Sequence, residues 1–484
     1  MLSILVGHAY FVGFDRKQAD RAKPYPPLAT LQAAAALRRA GHRVAVFDAM
    51  LADGPEEFGR QLAEVRPDLV VLYEDNFNFL TKMCLGRMRE AACQMIGAAG
   101  RAGARVFVAG SDASDRPRAY LDAGADAVLL GEGLAALELL AERTAAGLRE
   151  PIAALARGLG GIAFLGDGVV QLSGGGRAPV SHRQPDAPAF DLIDVGRYRR
   201  VWQAAHGYFS LNMAASRGCS FRCNWCAKPI WGQSYLQRPA GEVAAEMLAL
   251  ERAYAPDHIW FADDIFGFRV DWVQDFAAAL GGGGIPFTVQ TRADLMSVRM
   301  ARALRAAGCQ EAWIGAESGS QRVLDAMDKG TTVEQIHTAR ARLGAEGIRV
   351  GFFIQLGYLG EELGDLLATR ALIEAARPDA IGVSVSYPLP GTKFYERVKQ
   401  QLGPKTNWRE SNDLDMMFHG AYSSEFYRQF RDLLHAEVEG VPAGVPPLPR
   451  RWHELLAAEA RHRPTCATAG TLLGPLIAPE PAAG

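Results

Sequence analysis

Hydrophobic residues in the first 140 positions form short, nearly continuous runs. Five of these runs have the length and β-branched content of buried strands: LSILVG, RVAVFDA, DLVVLYE, ARVFVAG and AVLLGEG. The tracts between them, such as LATLQAAAALRRAG, repeat their apolar residues at helical spacing. Strands buried on both faces that alternate with helices are typical of a parallel, doubly wound sheet. We therefore predict an α/β, Rossmann-like domain over residues 1–145.

The same alternation returns in the second half of the chain. Six further runs are predicted strands, each followed by a helical tract: FSLNMAAS, HIWFADD, IPFTVQTR, EAWIGAE, RVGFFIQLG and AIGVSVSY. Six strand–helix units in succession predict a partial (β/α)6, TIM-like barrel over residues 207–404.

The remaining segments differ in composition from these two domains. Residues 146–206 contain GGIAFLGDGVVQLSGGG, which predicts a β-hairpin, followed by a Pro-rich connector, so we interpret them as a linker. Residues 405–455 predict a small helical C-terminal appendage. Residues 456–484 become rich in Ala, Pro and Gly, and we expect them to be disordered.

Composition indicates a soluble globular protein. The 484 residues are 49% hydrophobic and carry a formal net charge of −2, which gives no support for binding to nucleic acid or an anionic membrane. No apolar stretch approaches the ~18 residues of a spanning helix, and the N-terminus reads as a strand instead of a signal peptide. We therefore expect a cytoplasmic protein. Seven cysteines are too few for a disulfide scaffold.

Polar residues follow many of the predicted strands, at the ends where ligands bind in both fold types. In the first domain these are Glu74, Ser111, Asp112, Gly131 and Glu132. In the second domain they are Asp263, Asp264, Arg292, Glu317, Ser318 and Gln355. None of these ends carries a G-x-G-x-x-G or Walker motif, so the sequence does not favour a dinucleotide or a nucleoside triphosphate.

Three cysteines stand close together after the first strand of the second series, in the spacing Cys219-x3-Cys223-x2-Cys226. A structural zinc site requires a fourth Cys or His at short spacing, and the nearest histidines, His206 and His258, lie well outside the cluster. A ferredoxin-type cluster requires four thiolates. A cubane cluster held by three thiolates would leave one iron open for a substrate.

This cysteine spacing, with the aromatic Trp225 before the last cysteine, resembles the signature of the radical S-adenosylmethionine (SAM) superfamily. The resemblance implies a [4Fe-4S] cluster on Cys219, Cys223 and Cys226 whose open iron binds SAM. One electron from the reduced cluster would cleave SAM to methionine and a 5′-deoxyadenosyl radical. The segments FADDIFGF, GAESGSQRVLDAMDKGTT, VGFFIQLGYLGEE and SYPLPGTKFYERV resemble the later strand ends of the cobalamin-dependent branch. The resemblance to this branch implies that SAM is bound by Trp225, Asp263, Asp264, Arg292, Glu317, Ser318 and Gln355.

The N-terminal domain also resembles that branch, through AKPYPPLATLQAAAALRRAGHRVAVFDA and GADAVLLGEG. The implied cobalamin-binding residues are Pro26, Leu28, Glu74, Ser111, Asp112, Gly131 and Glu132. Many cobalamin domains carry Asp-x-His-x-x-Gly after the first strand, where the histidine binds cobalt. The corresponding stretch here lacks both the Asp and the Gly, so we predict that His8 is a strand-end residue and that no protein histidine binds cobalt.

The resemblance leaves the reaction open between two enzyme types. The first is methylation of an unactivated carbon, or of phosphorus, through methylcobalamin. The second is anaerobic oxidative ring formation, as in the magnesium-protoporphyrin monomethyl ester cyclase. A cobalamin or iron–sulfur sensor is a further alternative. We expect a small-molecule substrate, an electron donor such as flavodoxin or ferredoxin, and sensitivity to oxygen. No residue is assigned a catalytic role.

Overall fold

A computed structural model of the chain describes residues 1–82, 86–177, 186–226, 234–402, 414–441 and 445–463. Its first sheet contains five parallel strands in the order β2-β1-β3-β4-β5. Their bounds are β1 Ser3–Gly7, β2 Arg43–Phe47, β3 Leu69–Tyr73, β4 Arg105–Ala109 and β5 Ala127–Leu129. The order reverses between β1 and β3, and this reversal opens a crevice at the carboxyl ends of those two strands. The predicted doubly wound sheet is therefore confirmed.

Helices cover both faces of this sheet. They are α1 Arg16–Arg21, α2 Leu28–Arg39, α3 Pro55–Val65, α4 Phe79–Lys82, α5 Gly86–Arg101, α6 Ser111–Asp115, α7 Pro117–Asp122, α8 Leu134–Ala146 and α9 Ile152–Leu155. Every residue of β1 and β3 is buried, as expected for strands that are covered on both sides.

The hairpin predicted within residues 146–206 belongs to the first sheet. Its strands, β6 Ile162–Gly166 and β7 Val169–Ser173, extend the sheet beyond β5 by antiparallel pairing. The end of the same segment forms α10, Val195–His206, which the Pro-rich composition did not predict. The described parts of residues 146–206 thus contain two strands of the first sheet and the helix α10.

The second domain is an open, curved sheet of six parallel strands. Their order, β15-β14-β13-β12-β11-β8, follows the chain, which is the arrangement of a partial (β/α)6 barrel. The strands are β8 Ser210–Met213, β11 His258–Phe261, β12 Phe287–Thr291, β13 Cys309–Glu317, β14 Arg349–Leu356 and β15 Ala380–Val385. The predicted barrel is therefore confirmed.

Helices pack on the outer face of the barrel. They are α11 Ala240–Tyr254, α12 Val270–Leu280, α13 Val298–Ala306, α14 Gln321–Ala326, α15 Val333–Ala345, α16 Leu363–Ala376 and α17 Lys393–Val398. Between β8 and β11, the short strands β9 Ser216–Gly218 and β10 Tyr235–Gln237 form an antiparallel ribbon. The C-terminal region contributes α18 Ser424–Glu439 and α19 Leu448–Ala457, which pack against each other.

The predicted tail at 456–484 lies mostly outside the described residues, as do Cys84 and Cys466. None of the described helices combines the length and the apolarity needed to cross a membrane.

The two domains make direct contact through the segment before α2. The Trp202 indole on α10 donates a hydrogen bond to the Pro24 carbonyl at 2.7 Å, and the Asn212 side chain on β8 donates one to the Pro26 carbonyl at 2.9 Å. The Tyr25 hydroxyl lies 3.1 Å from the Ser210 hydroxyl. These contacts tie the N-terminal domain to the first strand of the barrel.

Candidate functional site

The three cysteines follow the ribbon strand β9 at the carboxyl edge of the barrel. Cys219 is buried, and Cys223 and Cys226 are half-buried. No three His, Cys, Asp or Glu side chains of the described ranges lie close enough to share one metal ion. A cubane cluster does not require such convergence, because each thiolate binds a different iron.

Asn224, between the second and third cysteines, anchors the cysteine loop to the barrel. Its amide nitrogen donates to the Ala326 carbonyl at 2.8 Å, and its side-chain oxygen accepts from the Tyr358 hydroxyl at 2.7 Å. Its backbone N–H donates to the Met327 carbonyl, and its own carbonyl accepts from the Phe394 amide. The loop is therefore held by segments that follow three different barrel strands.

Arg292 brings a positive charge to the cysteine loop. Its guanidinium lies 3.6 Å from the Cys223 sulfur and stacks on the Phe221 ring at 3.7 Å. The same group pairs with Asp294 at 2.9 Å and donates to the Lys329 carbonyl at 2.8 Å. Hydrogen bonds to a ligating sulfur influence the reduction potential of an iron–sulfur cluster, so Arg292 is placed to act on a cluster.

Glu317 forms a buried ion pair with Lys329, a residue that the sequence analysis did not single out. The Lys329 ammonium lies 2.7 Å from a Glu317 oxygen, and both side chains are less than a tenth exposed. Gly315 leaves the room for this pair, since a Cβ there would lie 2.6 Å from the Lys329 nitrogen and 2.7 Å from the Glu317 oxygen. Because Arg292 also binds the Lys329 carbonyl, these two residues form one connected group with Arg292 and Asp294.

Asp263, at the end of β11, is turned toward the start of the cysteine loop. Its two oxygens accept hydrogen bonds from the Ser216 hydroxyl at 2.5 Å and the Ala215 amide at 3.0 Å. Burial raises the pKa of Asp263 to about 7, against the lowering effect of these hydrogen bonds. The side chain thus holds the start of β9, and its contact with SAM stays a prediction.

The other predicted SAM-binding residues are spread around this edge. Asp264 is half-buried beside Asp263. The Gln355 side-chain oxygen and the Trp225 indole nitrogen are buried and have no hydrogen-bond partner among the described residues. Ser318 lies apart from this group, because its hydroxyl contacts Thr369 on α16 at 3.2 Å.

The crevice at the first sheet is lined by buried polar atoms. One Glu74 oxygen accepts from the Ala9 amide at 2.9 Å, and the other has no partner in the part of the chain that the structure describes. The same holds for both polar side-chain atoms of Asn76, which is fully buried. His8 is buried, and its Nε2 accepts from the Ala49 amide at 3.1 Å and lies 3.3 Å from Asp48. Burial raises the pKa of Glu74 to about 7.

Most other residues predicted to bind cobalamin are engaged within the protein. Asp112 pairs with Arg89 through two contacts of 2.5 Å and accepts from the Tyr120 hydroxyl at 2.7 Å. The Ser111 hydroxyl donates to the Thr81 carbonyl at 3.0 Å. The Gly131 amide donates to the Ser114 hydroxyl, and the Pro26 carbonyl accepts from Asn212. Leu28 is fully buried in the hydrophobic core.

Glu132 connects the two edges. Its carboxylate lies 2.6 Å from the guanidinium of Arg217, two residues before Cys219. The family resemblance places Glu132 at cobalamin and gives no role to Arg217. A buried arginine between Ser216 and Gly218 requires an acidic partner, which is the signal that could have indicated this contact.

Comparison with known families identifies the second domain. The profile described as "Radical SAM superfamily" matches residues 213–373, a range that contains the cysteine loop and the strand ends from β11 to β14.

Residues 213–373 form a radical SAM domain.

Curated relatives extend beyond this radical SAM domain. An uncharacterized methyltransferase of Pyrococcus horikoshii is 27% identical over 233 residues, which are 47% of this chain and 50% of that protein. The chain thus spans about half the length of this relative. The hopanoid C-3 methylase of Methylococcus capsulatus is 26% identical over 405 residues, 78% of this chain and 69% of that enzyme.

Among solved structures, the methyltransferase TsrM of Kitasatospora setae has a similar arrangement of both domains. It superposes with a TM-score of 0.67 at 20% identity, over 83% of this chain and 79% of TsrM. This likeness shows that the radical SAM domain and the N-terminal domain share the fold of that structure, which was solved with cobalamin and a [4Fe-4S] cluster bound.

The residues of the two edges have side chains of the kind that a [4Fe-4S] cluster with SAM and a cobalamin would require. At the radical SAM domain, one of the three thiols, Cys223, lies 3.6 Å from the cationic Arg292, and Gln355 and Trp225 offer an acceptor and a donor that no described residue satisfies. At the first sheet, the amide of Asn76 and one oxygen of Glu74 are buried without partners among the described residues. A corrin carries several amide side chains, which can both donate to and accept from such atoms.

Proposed function

We propose that the protein is a cobalamin-dependent radical SAM methyltransferase that modifies an unactivated carbon of a small molecule. When bound, the [4Fe-4S] cluster supplies the electron that cleaves SAM to a 5′-deoxyadenosyl radical, and cobalamin carries the methyl group. A low-potential one-electron donor such as flavodoxin or ferredoxin would reduce the cluster.

The observation that carries this proposal is the adjacency of the two edges. Strand β9, which leads into the cysteine loop, and the β5–α8 loop of the first sheet are in direct contact through Arg217 and Glu132. A cluster with SAM at one edge and cobalamin at the other would face one substrate between them. Methyl transfer from cobalamin to a substrate radical made by SAM cleavage requires this arrangement.

The residues of the chain have distinct parts in this proposal. Cys219, Cys223 and Cys226 hold the cluster, and Arg292 donates to one ligating sulfur. Gln355 and Trp225 bind polar groups of SAM, for which their buried atoms are suited. On the other side, Glu74 and Asn76 bind the corrin amides, and His8, which is bound by Ala49, is not a cobalt ligand.

The names of the relatives support methyl transfer over ring formation. The Methylococcus enzyme is named a methylase of hopanoids, and TsrM is a methyltransferase whose structure was solved with tryptophan as substrate. These two substrates share little chemistry, so we propose the reaction type and a small-molecule substrate without choosing a compound.

Anaerobic reconstitution with iron, sulfide and hydroxocobalamin tests the proposal. We expect about four iron atoms per chain and a bound-cobalamin absorbance spectrum. After incubation with SAM and dithionite, mass spectrometry should detect both 5′-deoxyadenosine and S-adenosylhomocysteine. Deoxyadenosine without S-adenosylhomocysteine would favour the cyclase. Absence of SAM cleavage under any reductant would favour a sensor.

A further inference from the structure

A buried ion pair joins the cluster side and the cobalamin side of the proposed site. Arg217 lies on β9, and Glu132 lies in the loop between β5 and α8. The guanidinium and the carboxylate are 2.6 Å apart, and the side chains are 6% and 4% exposed. Because both charges are withdrawn from water, removing either one would leave the other buried without this counter-charge.

Glu132 is fixed within the N-terminal domain by its backbone. Its carbonyl accepts a hydrogen bond from the Tyr73 hydroxyl at the end of β3. The next residue, Gly133, has a φ of +78°, and a Cβ there would lie 2.9 Å from the Leu129 Cβ. Only glycine fits this turn without strain, so the position of Glu132 is set by the first sheet.

Arg217 is fixed with equal strictness within the barrel. Its neighbour Ser216 donates to Asp263, and Arg217 itself pairs with Leu236 in the ribbon of β9 and β10. Cys219 follows two residues later. A displacement of Arg217 relative to Glu132 would therefore move the first cysteine of the loop relative to the first sheet.

We propose that Arg217 and Glu132 form a positioning pair that sets the separation and orientation of the cluster relative to the cobalt. This inference rests on the proposed function, since it assumes that both groups bind. Transfer between two cofactors depends strongly on geometry, and a misplacement of about 1 Å can lower a rate by about 100-fold. Replacing a buried ion pair by apolar residues is often neutral for stability, so a positioning role explains the pair better than a contribution to folding does.

The test uses reconstituted holoenzyme and the variant Glu132→Gln, which keeps the shape of the side chain and removes its charge. Pulsed electron paramagnetic resonance (EPR) measures the magnetic coupling between Co(II) and the reduced cluster, which reports their separation. We expect a changed or broadened coupling. We also expect the amount of methylated product per deoxyadenosine formed to fall about 10- to 100-fold, with SAM cleavage retained.

Glu246→Gln is the matched control. Glu246 pairs with Arg238 at 2.6 Å, and these side chains are 8% and 10% exposed, but both lie within the barrel. Arg238 also reaches the strand end before the cysteine loop, through the Ala214 carbonyl at 2.9 Å. The control should leave the coupling and the product ratio unchanged, because the Glu246–Arg238 pair does not join the two domains.

The outcomes separate the inference from the proposed function. If Glu132→Gln binds both cofactors and shows the wild-type coupling and product ratio, the inference is wrong and the proposed function stands. If the wild-type protein binds no cobalamin or no cluster, the proposed function fails and the inference fails with it. Should Glu132→Gln not fold, Glu132→Asp, which keeps the charge and shortens the side chain by one methylene, gives the same measurement with the same expected shift.

Discussion

The carboxyl edges of the two sheets satisfy their buried polar groups in different ways. At the barrel edge, the charged groups are compensated within the protein: Arg292 by Asp294, Glu317 by Lys329, and Asp263 by donors at Ser216 and Ala215. At the first sheet, one Glu74 oxygen and the whole Asn76 amide are buried without a partner among the described residues. We infer that the barrel edge holds its charged side chains by its own interactions and leaves the neutral Gln355 and Trp225 for a ligand, whereas at the first sheet a ligand also completes an acidic side chain, Glu74.

The largest expected effect separates the two edges by function. Replacing Cys223 with Ala removes one of three thiolates, so SAM cleavage should be abolished, while cobalamin binding at the other edge should remain. Mass spectrometry of deoxyadenosine and absorbance of bound cobalamin measure the two properties on one sample. Cys93→Ala, in helix α5 of the first domain, is the control and should retain both. An active Cys223→Ala protein would refute the three-thiolate assignment.

The second effect tests whether the barrel edge depends on its internal ion pairs. Glu317→Gln leaves the Lys329 ammonium buried without its counter-charge, so we expect the free energy of unfolding to fall by about 3–5 kcal/mol. Denaturant titration of the cofactor-free protein measures it. Glu396→Gln breaks a solvent-exposed pair with Lys399 in the same domain and should lower the free energy of unfolding far less, because water screens that pair. Equal stabilities of the two variants would show that the buried pair does not organise the edge.

The elements of both sheets could be predicted from the sequence, but the contacts between their edges could not. Runs of apolar residues identify strands, and three cysteines within eight residues form a motif that can be read locally. The contact between Arg217 and Glu132 joins positions 85 residues apart, so it depends on how two domains meet. The partner of Glu317 was missed for a similar reason, since Lys329 reaches it only because Gly315 has no side chain.

A third effect concerns the pH dependence of stability at the first sheet. Burial raises the pKa of Glu74 to about 7, so between pH 4.5 and 7 the folded protein keeps a proton that the unfolded chain has lost. The stability of the cofactor-free protein should therefore fall as the pH rises through this range, by up to about 3 kcal/mol from this group.

Glu74→Gln cannot ionise, so its stability should fall less steeply than that of the wild type from pH 5 to pH 8 in thermal unfolding. Asp263 and Glu361, whose pKa values burial also raises, contribute the same slope to both proteins and cancel in the difference. Glu64→Gln, at an exposed position of α3, should follow the wild-type curve. Parallel curves for Glu74→Gln and the wild type would show that Glu74 is already ionised in the folded protein.

The smallest expected effect, that of replacing Asn76, tests the carboxyl edge of the first sheet most directly. Asn76→Leu replaces a buried, unpartnered amide with an apolar side chain of similar size. Because an unsatisfied buried polar group costs about 1–3 kcal/mol, the cofactor-free variant should be more stable than the wild type by about that amount. The same change removes hydrogen bonds to the corrin, so cobalamin should bind about 10-fold more weakly, as measured by absorbance titration.

The opposite signs of these two effects distinguish a ligand-completed edge from an ordinary core position. Asn78→Ala, two residues further along, removes a side chain whose oxygen already accepts from the Leu80 amide at 3.0 Å. This control should lower stability slightly and leave cobalamin affinity unchanged. If Asn76→Leu instead destabilised the free protein and bound cobalamin as the wild type does, water within the protein would complete the Asn76 amide, and the contrast between the two edges would not reflect a ligand.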